Sequence, residues 1–127
     1  STIIPSKLSF HSKNVSVFEG FMDFLSWKAE NPGKDNSIII LNSLALLRTG
    51  IERAKSFSSI DVYFDRDQPG LTATRDFVKA LPYASDRSAA YDGFNDYNDK
   101  LVSLITAPPA EYRGKDFFAS VKVPFSR

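Results

Sequence analysis

The residues best suited to chemistry are the acids in Asp61-Val62-Tyr63-Phe64-Asp65-Arg66-Asp67-Gln68-Pro69-Gly70. Ile60, Val62, Tyr63 and Phe64 make a short apolar, β-favouring run, and Pro69-Gly70 breaks it directly after Asp65 and Asp67. The pattern predicts a strand over 60–67 that turns into a helix. Residues two apart on an extended strand face the same way, so the two carboxylates can converge on one cation. Hard divalent ions such as Mg²⁺ take oxygen ligands, typically one or two carboxylates completed by water and substrate phosphate. A solvated turn rich in Asp and Pro-Gly has the same composition, so the reading depends on what the rest of the chain brings beside these acids.

The elements that must position them follow from periodicity. Val15-Ser16-Val17-Phe18 is a compact strand ending at Glu19-Gly20, and a helix follows from about Phe21. Phe21, Phe24, Leu25 and Lys28 fall on one side of it, Trp27 is expected at its edge, and Asn31-Pro32-Gly33 stops it. Ser37-Ile38-Ile39-Ile40-Leu41 is apolar on both faces, as an internal parallel strand requires. Asn42 or Ser43 can cap the next helix, whose core stripe is Leu44, Leu47, Ile51 and Ala54, with Gly50 interrupting the pattern. After the 60–67 strand, Pro69 suits the first helical position, and Leu71, Thr74, Val78 and Leu81 give an inward stripe ending at Pro82. A short polar strand is expected within 83–91. Asn95 or Asp96 can then cap a last helix carrying Tyr97, Leu101, Leu104 and Ile105, which Pro108-Pro109 closes.

Strands alternating with helices predict an α/β fold, about four parallel strands in one sheet flanked by helices. We expect an N-terminal extension or edge strand over 1–14, one domain over 15–107, and a Phe-rich tail over 108–127 that docks on it or covers a sheet edge. In such sheets ligands bind outside the carboxyl ends of the strands. Three strand ends carry something unusual there: Glu19-Gly20, Asn42-Ser43 and Asp65-x-Asp67. Gly20 would let backbone approach a ligand, and Gly70 would allow a tight turn. Asp23 falls in a first helical turn, where a negative charge is favourable by itself. Acids gathered at one point repel unless a cation joins them, so the cluster predicts Mg²⁺ or Mn²⁺, and two such ions would orient phosphodiester or nucleotidyl chemistry.

Composition narrows the field. The chain has 127 residues, 43% of them hydrophobic, with 11 Phe, 5 Tyr and 1 Trp, which argues for a folded globule. A net charge of +1 gives no global attraction to nucleic acid or anionic membrane. The absence of cysteine excludes disulfides, thiolate zinc sites and thiol catalysis, and fits a reducing, cytoplasmic compartment. No apolar run approaches membrane-spanning length. The first residue, Ser1 and not Met, leads us to expect a processed or excised piece of a larger protein.

Four ordered motifs resemble the Toprim domain shared by bacterial primases, type IA and type II topoisomerases and certain nucleases. They are Phe18-Glu19-Gly20-Phe21-Met22-Asp23, Ile40-Leu41-Asn42-Ser43, Phe64-Asp65-Arg66-Asp67-Gln68-Pro69-Gly70 and Asn95-Asp96-Tyr97-Asn98-Asp99. The set is most similar to the primase-like Toprim proteins of mobile elements in the Bacteroides group. The resemblance implies a catalytic and metal-binding set of Glu19, Asp65 and Asp67, with Glu19 as general acid or base or as a partner in the metal site. It implies supporting roles for Gly20, Asp23, Asn42, Gly70 and Asp96. It further implies Mg²⁺ or Mn²⁺ as cofactor, nucleic acid and nucleoside triphosphates as partners, and Mg²⁺-dependent nucleotidyl transfer in DNA replication. The alternatives within the same resemblance are a Toprim nuclease and a non-catalytic nucleic-acid or protein interaction module. Primases of this family also carry a basic template-gripping subdomain and usually a zinc module, which here would be additional domains or subunits. Arg66, Lys28, Arg48, Arg53, Arg75 and Lys79 form no basic stripe, so cations that grip phosphate would come from elsewhere.

Overall fold

The computed structural model describes residues 2–4 and 13–106. Five strands form one sheet: β1 (Thr2–Ile4), β2 (Asn14–Phe18), β3 (Ser37–Ile40), β4 (Ser59–Tyr63) and β5 (Ala84–Asp86). Among the described residues four α-helices flank it: α1 (Phe21–Glu30), α2 (Leu47–Ala54), α3 (Gln68–Ala80) and α4 (Tyr97–Thr106). The spatial order is β1-β3-β2-β4-β5. β2 to β5 run parallel, and β1 adds an antiparallel edge against β3. The expectation of four parallel strands flanked by helices is met. The tail expected over 108–127 lies outside the described residues.

The alternation of the central strands builds two different cores. Val15 and Val17, Ile39 and Leu41, and Ile60, Val62 and Phe64 pack with Ala54, Ala73, Phe77 and Leu81 into an aliphatic layer against α2 and α3. Phe18, Ile38, Ile40 and Tyr63 face the other way, onto an aromatic layer with Trp27, Tyr91 and Tyr97 from the side of α1 and α4. Phe18 and Tyr63, partners in register across β2 and β4, stack with ring centres 4.9 Å apart. Each layer buries apolar area at roughly 25 cal/mol per Å², so both faces of the sheet drive folding.

The topology fixes where a site can form. β2 has β3 on one side, reached through α1, and β4 on the other, reached after α2. The connections therefore part above β2 and β4, leaving a crevice at their carboxyl ends. Glu19 follows β2 and Asp65 follows β4, one on each side of it.

Several local expectations are corrected. The strand expected over 60–67 ends at Tyr63, and the chain turns before α3. Asp67 is the N-cap of α3, and Pro69 occupies its second position. The stripe of α3 holds at Thr74, Val78 and Leu81, but Leu71 is exposed, and Ala73 and Phe77 are buried beside it. In α1, Phe21 and Leu25 are exposed, and the buried residues are Asp23, Ser26 and Trp27. Trp27 belongs to the core and donates from Nε1 to the Tyr63 hydroxyl at 3.2 Å. In α4, Leu104 and Ile105 are exposed and Tyr97 is buried. Within 83–91 the strand covers Ala84–Asp86 alone, and Ser88–Tyr91 forms a 3₁₀ turn. The stripe of Leu44, Leu47, Ile51 and Ala54 does pack inward. Gly50 fits because α2 lies against Leu41: a β-carbon there would come within 2.4 Å of Leu41 Cδ2.

Candidate functional site

Above the switch point the chain brings together five carboxylates: Glu19, Asp23, Asp65, Asp67 and Asp96. Glu19 leaves β2, and its Oε1 accepts the backbone N–H of Asp65 at 3.0 Å, tying the ends of β2 and β4 together. Its carbonyl accepts from the Asn42 N–H at 3.0 Å, so the end of β3 is tied to the same residue. Asn42 makes that turn with φ +69°, a left-handed conformation that Asn adopts more readily than most residues. Its side chain is exposed. Ser43 caps not α2 but the 3₁₀ turn Leu44–Leu46 before it, accepting from Ala45 N at 3.2 Å, and α2 has no side-chain cap.

Two helices begin at the cluster and are capped by its acids. Asp67 Oδ1 accepts from Gly70 N at 2.9 Å, the N-cap bond of α3. Gly70 is required by closeness: a β-carbon at that position would lie 2.1 Å from the Asp65 carbonyl oxygen and 3.0 Å from Asp67 Oδ1. Asp96 Oδ1 accepts from Asp99 N at 2.8 Å at the start of α4. Asp23 supports the same helix from across the interface, accepting from Asn98 N at 3.1 Å. The first-turn position of Asp23 in α1 therefore conceals a second role, as a buried acceptor for α4. Gly20 stands at the N-cap of α1 in extended conformation, and a β-carbon there would make only an ordinary 3.5 Å contact with Asp23 Oδ2.

The electrostatics follow from crowding these groups together. Burial pushes the Asp65 carboxyl up to about 8, and repulsion from Glu19, Asp23, Asp96 and Asp67 adds to it. Burial also raises Glu19, helped by Asp67 and Asp96 and opposed by hydrogen bonds to the Asp65 backbone and carboxyl. Glu19 and Asp65 thus act as a pair that can share one proton. Asp23 is raised to about 6, chiefly by burial, with Asp96, Glu19 and Asp99 contributing.

The donor chemistry suits a hard divalent cation: oxygen ligands only, in a crevice where several acids raise one another's proton affinity. Among the described residues, however, no group of three or more acids is already disposed around one point as ligands. Glu19 Oε1 is turned to Asp65 N–H and Asp67 Oδ1 to Gly70 N–H, so the first oxygen of each is engaged in holding the fold. An open groove of about 610 Å³ between α2 and α3, lined by Leu47, Arg48, Ile51 and Lys79 among others, contains none of these acids.

Residues 86–95 have a role that the motifs did not reveal. The Tyr91 hydroxyl donates to the Phe64 carbonyl, Asn95 O accepts from Arg66 N at 2.6 Å, and Ser88 binds the Arg66 guanidinium. This segment holds the loop that carries the acids. The sequence offered no signal for this role beyond the short polar strand expected within 83–91, which the structure confines to Ala84–Asp86.

The sequence model of a family described as Toprim-like matches residues 16–101, well over half of the chain. The chain belongs to that family. Among solved structures, this Toprim domain resembles the primase fragment of the bacteriophage T7 primase-helicase protein, with a TM-score of 0.54 at 16% identity, covering 78% of this chain and 45% of that one. It also resembles a bacteriophage T7 structure of the lagging-strand DNA polymerase interacting with primase domains of two gp4 subunits bound to an RNA/DNA hybrid and dTTP. That match has a TM-score of 0.59 at 18% identity, covering 77% of this chain and 52% of that one. At such identities the likeness is one of fold. The chain spans about half the length of these two structures, at 45% and 52%. No curated protein matches the sequence. No helix among the described residues is long and apolar enough to cross a membrane.

Proposed function

We propose that this Toprim domain is the acidic, metal-binding part of a primase-like nucleotidyl-transfer site, working with further domains or subunits that supply a template grip. The observation that carries the reading is the crevice at the switch point. There Asp65 is buried among Glu19, Asp23, Asp96 and Asp67, and burial first, with their repulsion added, pushes its carboxyl up to about 8. Such a cluster is stable with a shared proton or with a cation. At neutral pH with millimolar Mg²⁺, the cation is the better partner for acidic oxygens.

Asp65 and Asp67 would hold the ion, with Glu19 as third member and Asp23 and Asp96 in support. A bound divalent ion would steer a triphosphate and neutralise charge developing on its oxygens. The residues themselves have separate tasks. Asp67 keeps α3 capped through one oxygen, and Gly70 lets that helix start against the Asp65 backbone. Glu19 fixes the direction of Asp65 by accepting its N–H. Glu19, whose proton affinity burial raises, would serve as the general acid or base.

The fold likeness to primase domains supports transfer over cleavage, and the resemblance of the four motifs to primase-like proteins of mobile elements is the reason for proposing that the reaction serves the replication of such an element. A direct test incubates the chain with single-stranded template, labelled ribonucleoside triphosphates and Mn²⁺. Oligoribonucleotide product, absent in Asp65→Asn/Asp67→Asn, supports the reading. Cutting of the DNA replaces it with the nuclease reading. Triphosphate that binds equally well with and without Mn²⁺, with neither product formed, contradicts both.

A further inference from the structure

We propose that Arg66 is a positioning residue: it holds the Asp65 carboxylate in the acid cluster by anchoring the loop between the two acids, and it does not grip phosphate. The proposal rests on the metal-site reading above. An arginine flanked by two acids at such a site would be the obvious cation for a substrate phosphate. Its contacts lead elsewhere.

Arg66 Nη1 donates to the Ser88 carbonyl at 3.0 Å and to Ser88 Oγ at 3.2 Å, while Nη2 lies 3.3 Å from Asp92 Oδ1. Its backbone N–H donates to Asn95 O at 2.6 Å. Ser88 is 5% exposed and is itself fixed, its N–H donating to Asp86 Oδ1 at 2.9 Å. The Asp92 contact is a surface pair, with Asp92 78% exposed, and is worth little by itself. The anchor is therefore Nη1, which donates to both Ser88 O and Ser88 Oγ; the ammonium of a lysine, one bond shorter along the side chain, stops short of that position. Asp65 and Arg66 diverge from one backbone: the acid meets Glu19, Asp23 and Asp96, and the arginine meets the segment after β5. Releasing the arginine side chain leaves the Asp65–Arg66 peptide held on this side by the Arg66 N–H bond to Asn95 O alone.

The two roles predict opposite signs. Removing a positive charge beside a cation site should, by Coulomb's law alone, tighten cation binding. Removing a positioning anchor should loosen it, by about 10- to 100-fold for partners that orient metal ligands. The experiment titrates Mn²⁺ by calorimetry into wild type, Arg66→Met, Arg66→Lys and Ser88→Ala, each below its melting temperature, and follows amide hydrogen exchange. We expect weaker Mn²⁺ binding in Arg66→Met and, to a lesser degree, in Ser88→Ala. Arg66→Lys should restore the charge without restoring the affinity. Asp65 and Arg66 amides should exchange faster in Arg66→Met while those of β2 and β3 do not change. Binding as tight as wild type or tighter in Arg66→Met overturns the proposal. If wild type itself binds no Mn²⁺, the metal-site reading fails separately. Exchange then decides the anchoring, which unchanged Asp65 and Arg66 amides would refute.

Discussion

Tyr91 and Glu19 hold the two ends of one peptide group: the Tyr91 hydroxyl donates to the Phe64 carbonyl, and Glu19 Oε1 accepts the Asp65 N–H at 3.0 Å. The peptide that presents Asp65 is thus fixed from the aromatic core on one side and from the acid cluster on the other. Hydrogen bonds in series polarise one another, so each strengthens the other in a buried setting. The Asp65 carboxyl, raised by burial and by repulsion from its neighbours, is thus attached to a peptide held at both ends.

Tyr91→Phe tests that hold. The ring stays in the core, where Tyr91 is 1% exposed, but the buried Phe64 carbonyl loses its donor. Leaving such a group unpaired costs about 1–3 kcal/mol. Urea unfolding should show that loss with an unchanged m-value. A midpoint equal to wild type would mean that the hydroxyl contributes nothing to the fold.

Gly70→Ala should be worse than any other glycine substitution at the site. The new methyl would meet the Asp65 carbonyl at 2.1 Å, and a backbone atom cannot swing aside as a side-chain end can. Overpacking of this kind costs about 1–3 kcal/mol or somewhat more, offset only in part by the better helix propensity of alanine. Gly33→Ala, with nothing within 4 Å, is the matched control and should melt near wild type. Equal melting of the two variants would contradict the close approach of α3 to Asp65.

Stability without metal should fall as pH rises through neutrality. The Asp65 carboxyl rises from 3.8 to about 8 and Asp23 from 3.8 to about 6, so between those values the folded chain binds more protons than the unfolded one. Stability then decreases with pH across the window from about 4 to about 8 and is highest near its acid end. Glu30, held low chiefly by a hydrogen bond from the Tyr97 hydroxyl, works the other way and removes stability as pH falls through its lowered range. Thermal melting at several pH values should therefore show a maximum on the acid side of neutrality. Saturating Mn²⁺ competes with the protons and should raise the melting temperature more at the alkaline end of the window than at the acid end. A metal-free melting temperature that climbs steadily across the same window would mean that the acids do not repel as described.

Much of this arrangement was legible in the residues, for identifiable reasons. Ile38 to Leu41 and Val15 to Phe18 are short β-branched or aromatic runs bounded by turn formers, and such runs have few alternatives to an internal strand. The ordered acids at the strand ends then had to share one edge. What hydrophobic periodicity hid was the burial of polar groups. The inner face of α1 is Asp23, Ser26 and Trp27 because α4 is bound through Asn98, Tyr97 and Lys100 by hydrogen bonds and ion pairing. A stripe drawn from apolar residues therefore pointed the wrong way. The two-residue spacing of Asp65 and Asp67 suggested a strand, but capping of α3 by Asp67 ends β4 at Tyr63. The acids meet through a turn and not through pleating. Tyr91 gave no signal, since its role is a single bond to a carbonyl 27 residues away in sequence.

Asp65→Asn/Asp67→Asn separates repulsion from binding. Asparagine still caps α3 at position 67, and a neutral amide at 65 removes the charge that burial penalises most. Without metal the double variant should melt at or above the wild-type temperature at neutral pH. A marked loss of stability would show that the carboxylates are ionised partners of the fold itself.

The most direct measurement is a calorimetric titration of Mn²⁺ into the wild-type chain and into Asp65→Asn/Asp67→Asn at neutral pH. Our account predicts saturable binding to the wild type at micromolar to millimolar Mn²⁺, with proton release to the buffer, since the ion displaces the proton that the Glu19–Asp65 pair shares. The double variant should show none. Wild type that takes up no Mn²⁺ at millimolar concentration, or a double variant that binds as well, would contradict a metal site at the carboxyl edge of this sheet.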